Sequence, residues 1–317
     1  MALVMNIVGL DTVGSSIGLA IKQTAADIQI IGHDRDSARA KIARKRGAVD
    51  RTEWNLIAAC EGADLVLLST PLAEIRSTLS AIANDLKEGC VVTDTASLKV
   101  PVLEWAREFL PQTIHFVGGH PILDKAPAVS GGPDAELFVD SVYCLTPGTD
   151  TPPQAMQTVS DLAEAIGARP YFLDAAEHDS LTAALEQTPL LLALALQQMT
   201  ASSPSKREMI QLSGADFASV TGLLAADAET LTNLCVLNAD NIAHWLDALL
   251  SRLTELRDWV TEQRAEPLQQ TFAAALETRD AWRRETLETA PVDYSEFSAM
   301  RTMFGRAFDR PKKVDPS

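Results

Sequence analysis

Short apolar runs alternate with amphipathic stretches through the first half of the chain. This alternation restricts the fold more than any other feature. The runs are Val4–Gly9, Ile28–His33, Leu65–Ser69, Val91–Asp94, Thr113–Val117 and Ser141–Leu145. The helical stretches are Ser15–Gln23, Ser37–Arg46, Leu72–Ala83 and Val100–Phe109. Strands that are apolar along nearly their whole length are buried on both faces, as in a parallel sheet with helices on each side. The expected class is therefore α/β, a doubly wound parallel sheet. After Pro147 the pattern changes. Pro152–Ile166 reads as a helix stopped at Gly167, Arg169–Leu173 as a last strand, and nearly everything beyond His178 as helix. Leu231, Leu234, Asn238, Ile242, Trp245, Leu249, Leu253, Leu256 and Val260 form one long stripe at three- and four-residue steps. Such a stripe packs against other helices or across a dimer interface. The boundary is placed near Asp174, giving an α/β domain over 1–174 and an all-α domain over 175–317.

The first run passes into the turn MNIVGLDTVGSSIG. In the dinucleotide fingerprint the first glycine makes the tight turn, the second lets backbone approach a pyrophosphate, and the third lets helix and strand pack closely. Gly9 and Gly14 supply the first and third, and Asp11 stands where the second glycine belongs. The helix that follows offers N-terminal amides to an anion. Asp34 ends the second run, where an acid that binds a ribose hydroxyl belongs. It favours NAD over the extra phosphate of NADP, and Arg35 beside it weakens that preference, so NADP stays possible. These features specify a Rossmann-type domain. At a partly exposed site a second negative charge about 4 Å from the phosphates costs on the order of 1–4 kcal/mol. Asp11 is thus expected to weaken cofactor binding without preventing it, the less so if it caps the helix.

Net charge narrows the partners. With 27 Lys and Arg against 43 Asp and Glu, the chain carries −16, which argues against nucleic acid and anionic membrane. Cys60, Cys90, Cys144 and Cys235 form no C-x-x-C and sit in or beside apolar segments. They read as buried reduced thiols of a cytoplasmic protein. No apolar run approaches the ~18–20 residues of a membrane span, no signal peptide is recognised at the start, and no metal site is expected.

Further stretches carry a family signature. They are DLVLLSTPL at 64–72, VVTDTASLK at 91–99, FVGGHPILD at 116–124, YCLTP at 143–147 and AAEHD at 175–179. In this order after the glycine turn they resemble the prephenate and arogenate dehydrogenases of tyrosine biosynthesis. The resemblance implies oxidative decarboxylation of a cyclohexadienol, with hydride passing to a nicotinamide. It gives His120, of G-G-H-P, the role of the group that takes the hydroxyl proton, for which neutral imidazole is suited. It gives Ser97, of D-x-x-S-x-K, a role in orienting that histidine or the nicotinamide, and it has Thr70 and Pro71 line the cofactor. It implies a small-molecule carboxylate substrate and a homodimer through the helical domain. Each residue also has a structural reading: His120 as a turn cap, Ser97 as a helix N-cap, Lys99 as an exposed first-turn residue. His178 is expected to fix the domain junction, and His33, His115 and His244 to be structural.

The helical domain departs from the family pattern. The family's S-H-L-P-H is Glu186-Gln187-Thr188-Pro189-Leu190 here. The arginine of F-R-D-x-T-R-I-A, a partner for a substrate carboxylate, falls on Gly222. Losing that charge-assisted contact bears on substrate identity. Lys99, Lys125, Lys206, Arg207 and the basic tail Arg301, Arg306, Arg310, Lys312 and Lys313 are the cations available in the sequence. Two readings follow. One is a divergent dehydrogenase for prephenate, arogenate or another small acid. The other is a weak or inactive homologue kept as a nucleotide-binding or dimeric partner.

Overall fold

The computed structural model describes residues 3–24, 27–123 and 132–288. Lys125 and the basic tail from Arg301 to Lys313 lie outside the described residues. Eight strands form one sheet: β1 (Leu3–Val8), β2 (Ile28–His33), β3 (Arg51–Thr52), β4 (Leu65–Leu68), β5 (Val91–Asp94), β6 (His115–Ile122), β7 (Val142–Pro147) and β8 (Arg169–Phe172). Their order is β3-β2-β1-β4-β5-β6-β7-β8. The first six are parallel, and β7 runs antiparallel to β6 with β8 parallel to β7. The sheet is thus mixed at one edge, where a wholly parallel sheet was expected. β6 and β7 can pair antiparallel because no crossover helix separates them among the described residues.

Alternation along each strand divides the core. Leu65 and Leu67 join one buried cluster with Met5, Ile7, Ile17, Ile21 and Ile30. Val66 and Leu68 join the other with Val8, Ile75, Leu79, Val92 and Val102. Helices α1 (Thr12–Lys22), α2 (Ser37–Arg46) and α6 (Pro153–Ala165) cover the first face. Helices α3 (Leu56–Cys60), α4 (Leu72–Ile82) and α5 (Val100–Phe109) cover the second. α1 opens at Thr12 rather than Ser15, because Asp11 caps it by accepting from the Gly14 amide. β3 and α3 were not read from sequence; two and five residues are too short to show a period.

The second half is helical: α7 (Ala175–Thr182), a π turn over Ala183–Gln187, then α8 (Thr188–Ala201), α9 (Lys206–Leu212), α10 (Ala215–Thr221), α11 (Ala228–Leu237), α12 (Ala239–Thr261) and α13 (Ala265–Glu288). The long stripe is two helices, not one. The break is Asn238, at φ −124°. Its side-chain amide donates to the Asp179 carbonyl at 2.8 Å and to Gln187 Oε1 at 2.7 Å. Both donors are used inside the fold, and that fixes the kink. Cys60, Cys90 and Cys144 are buried as expected, whereas Cys235 is only half-buried. No described helix is long and apolar enough to cross a membrane.

A buried ion pair ties the end of β5 to the start of α5 and to β6. Lys99, just before α5, is fully buried, and its ammonium pairs with Asp94 at the end of β5. It also donates to the Gly119 carbonyl at 2.6 Å. Asp94 accepts from the amides of Ala96 at 2.9 Å and Gly119 at 3.0 Å. Asp179 of α7 accepts from the backbone amides of Lys99 at 2.7 Å and Val100 at 2.8 Å, closing the helical half onto the N-terminus of α5. Lys99 is therefore neither exposed nor free for a substrate. Truncating one member of such a pair strands the other charge, at a cost of about 3–5 kcal/mol. Lys99→Met is expected to lower the melting temperature by roughly 10 °C, measurable by calorimetry.

Candidate active site

A crevice of about 990 Å³ opens at the carboxyl ends of β2, β1 and β4 and reaches Thr95 after β5. Strand order reverses between β1 and β4, so this is the switch point where such sheets bind ligands. Gly9 has φ +95°, and a Cβ there would lie 2.1 Å from the Ser69 carbonyl oxygen. A Cβ on Gly14 would lie 2.1 Å from the Gly9 carbonyl. The turn thus presses against β4 and admits no side chain at either position.

Asp11 lies on the crevice wall with its carboxylate folded back on the helix. Its Oδ1 accepts from the Gly14 amide at 3.0 Å and from Ser69 Oγ at 3.3 Å. Burial of the carboxyl raises its pKa above the ordinary aspartate value, and these hydrogen bonds oppose the shift. Asp34 Oδ2 accepts from the Leu10 amide at 2.8 Å and Oδ1 from the Asp36 amide at 2.7 Å. Each oxygen keeps a lone pair for a ribose hydroxyl. Arg35 is exposed and paired with Glu74 across the mouth, and Arg39 lies 3.7 Å from Asp36. Thr70 and Pro71 line the floor. Thr70 Oγ1 is buried without a protein partner among the described residues, a polar atom left for a ligand. Trp54, 85% exposed, forms part of the wall beside Asn55. These residues fit a dinucleotide.

His120 stands on β6, one strand beyond Thr95. The expectation put it after a strand; in fact β6 continues through Gly118, Gly119 and His120 to Ile122. The two glycines serve space rather than a turn. A Cβ at 118 would meet Thr146 Oγ1 at 2.3 Å, and one at 119 would meet the Asp94 carbonyl at 2.5 Å and the Tyr143 ring at 2.7 Å. His120 is 7% exposed. Its Nδ1 lies 3.0 Å from His178 Nε2, and His178 Nδ1 lies 2.8 Å from Asp179 Oδ1.

The proton positions follow from chemistry. A carboxylate only accepts, so His178 donates from Nδ1 to Asp179. Nε2 of a neutral His178 then accepts from His120 Nδ1, leaving the lone pair of His120 on Nε2. Burial, followed by the nearby His178 and Lys99, holds the His120 pKa well below its usual 6.5. The Nε2 atom faces Glu186 of the π turn, with Oε1 at 3.8 Å. The protein packed around one side of the Glu186 carboxyl pushes it up to about 7, although 40% of the side chain remains exposed. π turns recur at functional sites.

Two sequence profiles of one family match the chain. The profile described as prephenate dehydrogenase, nucleotide-binding domain, covers residues 17–172, and that described as prephenate dehydrogenase, dimerization domain, covers residues 174–274. The chain belongs to the prephenate dehydrogenase family. Among relatives, the cyclohexadienyl dehydrogenase of Zymomonas mobilis is 30% identical over 278 residues, 86% of this chain and 94% of the relative. The prephenate dehydrogenase of Lactococcus lactis is 28% identical over 278 residues, 87% of this chain and 76% of that one. A crystal structure of prephenate dehydrogenase from A. aeolicus, in complex with hydroxyphenyl propionate and NAD+, matches with a TM-score of 0.80 at 20% identity. It covers 89% of this chain and 98% of that one, a likeness of fold.

With the family known, its motifs acquire physical roles. D-x-x-S-x-K contributes the Asp94–Lys99 pair. Ser97 is half-buried in the loop before α5, and Lys99 rather than Ser97 is the N-cap position of that helix. His178, not Ser97, holds the His120 ring in this structure. His178 was expected at the domain junction; it also touches the candidate base. His33, expected to be structural, lines the crevice while its Nδ1 lies 3.0 Å from the Glu53 carbonyl. Gln187 replaces the family histidine and accepts from Asn238. Gly222 ends α10 with no side chain to offer a carboxylate. Lys206 and Arg207 are exposed on α9. Asp179, Glu186 and Trp54 were not singled out in the sequence. Asp179 carried a signal, adjacency to His178 in AAEHD; Glu186 stood out only as a departure from S-H-L-P-H, and Trp54 had none.

Asp11→Asn keeps an oxygen for the Gly14 amide and removes the charge. NAD is expected to bind about tenfold tighter or better, within the penalty estimated from Coulomb's law. Titration calorimetry reads this directly, and unchanged affinity would show that the capped carboxylate does not oppose the cofactor.

Proposed function

We propose that this chain catalyses the oxidative decarboxylation of prephenate or arogenate in tyrosine biosynthesis, using NAD, with His120 as the general base. The observation that carries the reading is the buried Asp179–His178–His120 series, which leaves a lone pair on His120 Nε2. A homologue retained only to bind nucleotide has no use for an imidazole fixed in that tautomer.

NAD, when bound, supplies the hydride acceptor for the carbon that bears the substrate hydroxyl. His120 Nε2 takes the hydroxyl proton as that carbon becomes a carbonyl. The bond to the ring carboxylate then breaks and carbon dioxide leaves. Its electron pair passes into the ring, which becomes aromatic, and the new phenolic oxygen recovers the proton from His120. The proton is held transiently and returned, so a low-pKa imidazole suits the task. Gly9, Gly14 and the amides of α1 form the pyrophosphate cradle in this reading, with Asp11 at its rim. Asp34 binds the ribose, and Thr70 and Pro71 support the nicotinamide half. Ser97 orients the nicotinamide in this reading, the His120 ring being held by His178. Arg35 and Arg39 both have carboxylate neighbours, which supports NAD over NADP.

Division near Asp174 into a cofactor domain and a helical domain belongs to the same reading, as does a homodimer through the helical domain. That domain exposes Met199, Ile210, Leu212, Val236, Val260 and Phe272, and its profile is described as a dimerization domain. A cytoplasmic location accords with its unpaired thiols.

His120→Asn retains an amide that can donate to His178 but has no base at the Nε2 position. It is expected to lower kcat by about a hundredfold or more with little change in melting temperature. A matching loss of stability, with turnover falling only in proportion to the folded fraction, would instead make His120 a packing residue of β6. In thermal-shift assays NAD is expected to raise the melting temperature of the wild type more than NADP does. A ligand at 100 times its Kd contributes about 2.7 kcal/mol. No shift with either nucleotide would sink the dehydrogenase reading.

A further inference from the structure

We propose that Glu186 is a positioning residue for the reaction, its carboxylate stabilising the positive charge that His120 acquires while it holds the substrate proton. The inference rests on His120 being the base. Nδ1 of His120 is committed to His178, so a proton taken from substrate enters at Nε2, and Glu186 Oε1 lies 3.8 Å from that atom. The other charged groups around the ring do not serve this purpose. Lys99, at the start of α5, disfavours a positive ring, and neutral His178, on α7, accepts from Nδ1 of the ring and offers nothing at its Nε2. Asp94 is bound to Lys99, and Asp179 to two backbone amides and His178. Cys144, opposite His120 on β7, has its thiol pKa raised by burial and then by Glu186. Glu186 is 40% exposed on its side chain and makes no hydrogen bond to a described residue. Its removal does not strand a buried partner.

The pH dependence follows with a definite sign. Burial holds the His120 pKa well below its usual value, so a rise near pH 7 is assigned to Glu186. Glu186 titrates near 7, and its charged form prevails above that value. In the wild type kcat is expected to rise through about pH 7 and level off.

Glu186→Gln is the test, in the full-length protein, with prephenate, arogenate and NAD as the probes. The expected result is a kcat about tenfold lower above pH 8, loss of the rise near pH 7, and a KM for the anionic substrate no higher than in the wild type. An unchanged kcat, or a surviving rise near pH 7, overturns the inference. The same substitution in a His120→Asn background is expected to change residual turnover less than twofold, and a full tenfold effect there also overturns it. His120→Asn alone separates the two failures. If that variant is inactive while Glu186→Gln is neutral, only the role of Glu186 falls. If it keeps full turnover, the base assignment falls and takes this inference with it.

Discussion

Everything around the candidate centre hangs on the buried pair between Asp94 and Lys99. Opposite charges taken out of water are a poor source of net stability, so their value here lies in geometry. The ammonium reaches the Gly119 carbonyl and the carboxylate receives the Gly119 amide. Strand β6 is thereby fixed to the end of β5 one residue before His120. The absence of side chains at 118 and 119 lets the strand pass between Asp94 and Tyr143. Hydrophobic packing alone would hold β6 in the sheet but would not dictate the height at which its histidine emerges.

From that anchor the electrostatics of the site run in one direction. Asp179 is satisfied by backbone amides and by His178, which fixes the next ring in turn. The result is an uncharged His120 in a pocket that also contains a lysine. The cost of charging the ring falls when a proton arrives, which is where a flanking carboxylate has the most effect. The crevice at the other end of the strand order is built separately, from the reversal between β1 and β4 and from backbone geometry at Gly9 and Gly14.

Most of the α/β half was legible because its signals are local and repeated. Apolar runs with defined ends gave β2, β5, α2 and α5 to the residue, and the turn after β1 marked the crevice. What escaped depends on burial or on single residues. Lys99 looked like a free cation because nothing in the sequence says that its ammonium lies beneath β6. Asn238 fits the apolar stripe in spacing, so a three- and four-residue count passes through the kink unaware. Glycines at 118 and 119 suggested a turn, the commoner use of a glycine pair, when the true constraint was a carbonyl and a ring packed against the strand. Glu186 read only as a departure from the family pattern, since its neighbour in space is 66 positions away in the chain.

The carboxylate of Asp179 serves two masters. One oxygen pair seals the helical half against the start of α5, and the same group selects which nitrogen of His178 bears hydrogen. Moving α7 away from the start of α5 would break the two amide contacts of Asp179 and part His178 from His120, while the His178–Asp179 bond, internal to α7, would survive. The orientation of the His120 ring thus depends on the same contact that seats α7 on the start of α5.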